Sequence, residues 1–147
     1  MIVIQHEDFL HAQEYEYLRS LATSDGAIVT FTGIVRDFSD KSDVLAIELE
    51  HYPEMTQKSL EGICQTARLR WPLGQIKVIH RVGKILAMEQ IVFVGVTSKH
   101  REAAFAACQF IMDHLKTSVP IWKKEIGLEN EHWVEANASD NAAKEKW

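Results

Sequence analysis

The segment LKTSVPIWKKE, Leu115 to Glu125, places three lysines around a Pro-Ile-Trp core in a chain whose formal net charge is −5 at pH 7. A mildly acidic chain is a poor binder of polyanions as a whole, so an anion site in it has to be a local cluster of cations. Lys116 stands four residues after Met112 on a helical row with Phe105 and Cys108, flanked by Ala104, Ile111 and Leu115. Its stem therefore lies along the apolar stripe, with the amine at the stripe's end. Taken alone, such a lysine is a snorkelling side chain that favours a helix C-terminus, worth roughly 0.3–1 kcal/mol. After Pro120, strand alternation sends Trp122, Lys124 and Ile126 to one face and Ile121, Lys123 and Glu125 to the other. Lys123 and Lys124 thus do different jobs. Pro120 permits a sharp reversal that would let Lys116 and one strand lysine converge on a single pocket. The alternative is a pair of solvated lysines that guard an edge strand.

A second cationic group stands in TSKHREAAF. Ser98 reads as a helix N-cap, and Lys99, His100 and Arg101 then crowd a helix start where acidic residues are preferred. Free amides there, with Arg101, would suit a phosphate or carboxylate. A surface role for His100 is an equal alternative. Arg36 closes the run TFTGIVR, after a Gly33 that would permit close approach of another backbone. By itself it reads as a surface arginine.

The elements that must position these residues alternate between strand and helix patterns across 147 residues, a length suited to one domain with a sizeable core. Val3 and Ile4 predict a short first strand and Phe9 to Ala22 a helix. Gly26 to Phe38 and Val44 to Tyr52 predict two strands paired as a hairpin. Pro53 opens a helix that Pro72 stops. IKVIHRVG, with a turn near Gly83, and IVFVGVTS predict two more strands, the second leading directly into a long helix. IWKKEIG and EHWVEA are extended, and residues 138–147 form a C-terminal tail, frayed or docked. These patterns predict an α+β fold, one domain over 1–147 with a mixed or antiparallel sheet and flanking helices. Hydrophobic residues make up 46%, and no apolar run approaches the ~20 residues that cross a bilayer. The start, MIVIQHEDF, has no secretory pattern, so a cytoplasmic location is expected. Cys64 and Cys108 lack zinc-site spacing and are expected to be buried, reduced thiols.

Taken in order, FTGIVRD, LEHYPEM, RW, HRVGKI, VFVGVTSKHREAAF, DHLK, PIWKKE and WVEA resemble the large, catalytic subunit of molybdopterin synthase, the MoaE family. The resemblance runs from about Gly26 to Trp147. It implies an α/β hammerhead fold and a homodimer that binds one small ubiquitin-like sulfur-carrier subunit at each end, a heterotetramer. The implied activity is that of a sulfurtransferase of molybdenum cofactor biosynthesis. The carrier's C-terminal thiocarboxylate would enter the active site and deliver sulfur twice to cyclic pyranopterin monophosphate, giving the dithiolene of molybdopterin. Carried over position by position, the family's lysines match Lys116 and Lys123, its strand arginine Arg36, and its His-Arg pair His100 and Arg101. Phe31 and Met112 match the residues near the carrier tail, and Lys124 and Glu125 complete the PIWKKE motif as substrate-binding candidates.

The resemblance gives the cationic cluster a reason. A thiocarboxylate and a cyclic phosphate are both anions, so their pocket has to be cationic although the protein is not. Developing oxyanions need neutralising and a leaving oxygen needs a proton, and a desolvated lysine beside other cations has a lowered pKa suited to that work. Lys116 is the first candidate for proton transfer, Lys123 holds charge and shares it, and Arg36, His100 and Arg101 clamp phosphate. No metal or cofactor is required for these steps. The chain departs from the family's pattern at Asn137, where an arginine often reaches the neighbouring subunit's site, at Met88 in a turn, at Glu54, and in the glycine-free DFSDKSD. Two other functions compete: a non-catalytic scaffold that docks a ubiquitin-like partner, and a nucleotide- or RNA-binding module. The retained lysines and His-Arg pair oppose the first, and the lack of a Gly-rich phosphate loop or RNP-type aromatics opposes the second.

Overall fold

A computed structural model describes residues 1–36, 44–127, 131–135 and 138–147. Its elements follow as β1 (Ile2–Gln5), α1 (His11–Leu21), β2 (Ala27–Ile34), β3 (Val44–His51), α2 (Pro53–Arg70) and β4 (Leu73–Arg81). Then come β5 (Gly83–Leu86), β6 (Gln90–Ser98), α3 (Arg101–Ser118), β7 (Ile121–Gly127), β8 (Glu131–Val134) and α4 (Ala138–Glu145). The strands form two four-stranded sheets, ordered β1-β4-β6-β2 and β5-β3-β7-β8. In the first sheet β1 joins β4 in parallel and the other pairs are antiparallel, whereas the second is antiparallel throughout. The fold is α+β, as its alternating patterns predict. Among the described residues no helix is long and apolar enough to cross a membrane.

The expected hairpin of the second and third strands does not form. β2 instead pairs with β6 in the first sheet, and β3 lies between β5 and β7 in the second. Both segments are apolar and β-branched, and such a pattern marks a strand without choosing its partner. The connecting DFSDKSD falls in 37–43, outside the described residues.

Strands β4 and β6 are buried over most of their length because helices cover both faces of the first sheet. On one face Leu60, Ile63 and Ala67 of α2 and Ala107, Cys108, Ile111 and Leu115 of α3 meet Ile76, Val78, Val92, Val94 and Val96. On the other, Leu18 of α1 and Phe9 close over Ile79 and Phe93. The second sheet has its own core of Ile47, Leu49 and Ile85 with Val35 and Val82. The wheel of α3 is turned slightly from the expected row: Phe105 is exposed, and Ala104, Ala107, Cys108, Ile111 and Leu115 form the buried stripe. Burial pushes the thiols of Cys64 and Cys108 up to about 11, and neither is in a disulfide.

Among the described residues, two turns carry backbone in the left-handed region. Gly83 has φ +81°, and a Cβ there would meet the His6 ring at 2.6 Å, so only glycine lets β4 pass directly into β5. Met88 has φ 72° in the turn closed by the Glu89 amide donating to the Leu86 carbonyl at 3.1 Å. Its amide also donates to Val35, and its side chain is exposed. Replacing Met88 by Asn, which tolerates that backbone and loses no packing, should raise stability by about 1 kcal/mol. A denaturation midpoint equal to or below wild type would contradict this.

At the β4–β5 junction Arg81 is buried and donates to the His6 carbonyl at 3.0 Å and the Gln90 carbonyl at 2.7 Å. Beside it His80 lies with Nδ1 2.7 Å from the Arg81 carbonyl, and burial pushes its imidazole down from 6.5 to about 4. The folded state therefore favours the neutral ring. Stability is held above pH 6.5 and is lost as pH falls from there towards 4, because the unfolded chain binds the proton first. At about 1.4 kcal/mol per pH unit, this histidine's part is bounded at roughly 3 kcal/mol. His80→Gln is expected to flatten the denaturation midpoint against pH in that window. An unchanged slope would show that the acid sensitivity arises elsewhere.

Candidate active site

The helix–strand junction after α3 brings the cations of the candidate site together. Lys116 lies in the last turn of α3, Val119 is buried, and the chain turns at Pro120 into β7, with the Ile121 amide donating to the Val119 carbonyl at 2.8 Å. Lys123 follows on β7, an interior strand, paired with Leu49 of β3 and Val134 of β8. Its amine is half-buried, and burial lowers its pKa; Glu125 and Asp140 oppose that shift, and Lys116 and Arg36 add to it. Those four residues come from β7, α4, α3 and the end of β2, so the site is a meeting of four elements. The family resemblance made Lys116 the first candidate for the desolvated, proton-transferring lysine, whereas spacing alone gave it a snorkelling role. In the structure the Lys116 side chain is 55% exposed and its amine stands 3.5 Å from Asp140, while the solvent-depleted amine is that of Lys123.

Arg36 emerges one residue after buried Val35, whose amide donates to the Glu89 carbonyl at 2.9 Å. Gly33, just upstream, sits at a register shift against β6, and the atoms facing it are side-chain carbons of Val92 and Ile91 rather than another backbone. The irregular pairing ends β2 and releases the chain towards the pocket. Phe31 projects from β2 with 42% exposure, and Met112 lies half-buried one turn before Lys116 on α3. α3 packs along β2, which sets both side chains on elements that border the lysines.

Lys124 belongs to the opposite face of β7. Its amine lies 3.4 Å from Glu131 and 3.9 Å from Glu48, and 5.2 Å from the centre of the Trp133 ring. Cross-strand partners thus hold it within the second sheet. Glu125 shares the face of Lys123 and is the largest opposing influence on its proton.

His100 and Arg101 stand at the other end of α3. His100 occupies the N-cap position without a side-chain cap, and both residues are exposed. Ser98, the expected cap, donates instead to the Pro72 carbonyl at 2.8 Å. At 1.5 Å per residue, the helix separates Arg101 from Lys116 by about 22 Å. One chain therefore does not bring the His-Arg pair to the lysines. Asn137 falls outside the described residues. Asp140 was missed by sequence reasoning because residues 138–147 were read as a tail; the amphipathic run ASDNAAKE, with its acid in the first turn, was the available signal.

The arrangement is a partly desolvated amine between two other cations, with two carboxylates to moderate it. It can bind an anion and exchange a proton with it. Comparison with known proteins places the chain in a family. The family described as MoaE protein matches residues 4–118. The molybdopterin synthase catalytic subunit of Vibrio cholerae is 52% identical over 99% of this chain and 97% of its own length. That of Escherichia coli is 51% identical with the same coverage. A solved structure, the molybdopterin biosynthesis MoaE protein from Burkholderia ambifaria, superimposes with a TM-score of 0.85 at 44% identity, covering 100% of this chain and 97% of that one. With a family match spanning most of the sequence and relatives of this identity along nearly its full length, the chain belongs to the MoaE family, whose relatives named here are molybdopterin synthase catalytic subunits.

Proposed function

We propose that this chain is the catalytic subunit of a molybdopterin synthase, a sulfurtransferase that moves sulfur from the C-terminal thiocarboxylate of a small ubiquitin-like carrier subunit to cyclic pyranopterin monophosphate. The observation that carries the reading is the convergence of Lys116, Lys123 and Arg36 on one junction in a member of this family. Phe31 and Met112 border the path of the carrier's extended tail. Arg36 and Lys116, both exposed, meet incoming negative charge, and Lys123 handles the proton. Its lowered pKa makes the ammonium a better acid towards the leaving oxygen of the pterin side chain, and the neighbouring cations favour proton release. Glu125 opposes that shift and favours the ammonium. Lys124, tied to Glu48, Glu131 and Trp133, shapes the strand rather than the substrate. Two thiols free of disulfides suit a reducing cytoplasm.

His100 and Arg101 enter the phosphate site only if a second copy supplies them, because α3 holds them about 22 Å from Lys116 in their own chain. The functional unit is accordingly a homodimer with one carrier at each end. The test is single-turnover conversion of cyclic pyranopterin monophosphate by the purified chain with thiocarboxylated carrier; no molybdopterin from this mixture would refute the function.

Within that assay, Lys116→Ala and Lys123→Ala should each lower the rate about 10²–10⁴-fold with the chain still folded and carrier still bound. Arginine keeps the charge but does not readily give up a proton. Lys116→Arg should therefore recover part of the activity and Lys123→Arg almost none. The reverse pattern would move proton transfer to Lys116.

Mixing two inactive proteins tests the dimer. Lys116→Ala and Arg101→Ala subunits that exchange freely should regain about a quarter of wild-type activity, since half the dimers are hybrids with one intact site of two. No recovery, with hybrid dimers verified, would show that Arg101 does not act across the dimer.

A further inference from the structure

The C-terminal helix touches the pocket without belonging to any motif that the chemistry uses. α4 has only eight residues and buries none of them, so neither its length nor its own core holds it in place. Trp147, two residues beyond it, is docked against the body of the protein. The Trp147 indole Nε1 donates to Asp113 Oδ2 at 2.6 Å. Its ring meets Trp71 and Phe110 edge-to-face, with centroids 5.6 Å away in both cases. The Arg70 guanidinium lies within 5.9 Å of all three ring centres. Asp113 is a buried carboxylate on the same helix as Lys116, and its other oxygen accepts from Gln109 at 2.8 Å. Lys146 adds a longer contact to it at 3.9 Å. Trp147 thus satisfies a buried charge and closes an aromatic cluster at once, which ties α4 to α2 and α3.

The consequence appears at the other end of α4, where Asp140 stands 3.5 Å from the Lys116 amine. Side chains 55% and 27% exposed make an ion pair worth little to stability. Its effect on the pocket is larger in kind. Asp140 and Glu125 supply the negative charge facing Lys123, against Lys116 and Arg36, while Leu49 and Val134 flank it on the neighbouring strands.

We propose that Asp140 is a positioning residue for the Lys116–Lys123 pair, orienting one amine and moderating the charge around the other, and that Trp147 is the anchor that holds α4 where Asp140 can do so. This rests on the assignment of the two lysines made above. It accounts for the aromatic cage and for the buried Asp113, neither of which sulfur transfer needs directly.

The test uses the full chain, with lysine side chains labelled with ¹³C at Cε and their resonances assigned through Lys116→Arg and Lys123→Arg. Asp140→Asn is nearly isosteric and should fold. It is expected to move the Lys123 titration to lower pH, because an anion that favoured the ammonium is gone. Trp147→Phe keeps the ring and removes the indole donor, and it should shift the same resonance in the same direction with Asp140 intact. Single-turnover transfer near pH 7 should fall roughly two- to tenfold in Asp140→Asn, the scale of coupling inside one ionic network, and Asp140→Glu should recover part of it. A Lys123 titration unmoved in folded Asp140→Asn would overturn the proposal, as would a Trp147→Phe variant that matches wild type. If the wild type transfers no sulfur but the titration moves, the functional assignment fails and the positioning role stands.

Discussion

The burial of one face of α3 against the first sheet is the constraint on which the site depends. Ala107, Cys108, Ile111 and Leu115 pack against Val92, Val94 and Val96 of β6 and their neighbours. Each large side chain buried there is worth about 1.5–3 kcal/mol, so the helix has little freedom to slide or rotate. Fixing α3 fixes where its last turn ends, and therefore where Lys116 lies and where Pro120 sends the chain into the second sheet. The pocket is the corner between a helix packed on one sheet and a strand inside the other.

That corner makes a cationic site possible in an acidic protein. Lys123 sits on an interior strand where burial disfavours its charge, and Lys116 and Arg36 disfavour it further. Carboxylates from β7 and α4 act the other way. Lys124 shows the contrast one residue away: with two glutamates and a tryptophan around it, it is a structural cation of the second sheet.

Much of the architecture was legible because local patterns agreed with it. Pro53 and Pro72 bracket α2, Gly83 marks the β4–β5 turn, and the apolar runs of β4 and β6 mark strands. The hairpin expected from β2 and β3 failed because partner choice depends on which faces the helices cover, which alternation does not encode. Phe105 was assigned to the stripe of α3 and proved exposed, a rotation too small for residue periodicity to distinguish. The tail was taken for a frayed or docked end, and its role as an anchored helix lies in contacts made by Trp147 with residues 34 and more positions earlier.

By itself the sequence determined the family, the kinds of element in their order, and the residue types able to handle two anions, because those properties are written in local pattern and motif. Tertiary structure decided which amine is desolvated and what surrounds each lysine on its own face of β7. It also decided that Asp140 reaches the pocket at all. The physical reason is common to these cases. Solvation and Coulomb energy depend on distance through space and on what excludes water, and both are set by the packing of elements far apart in the chain.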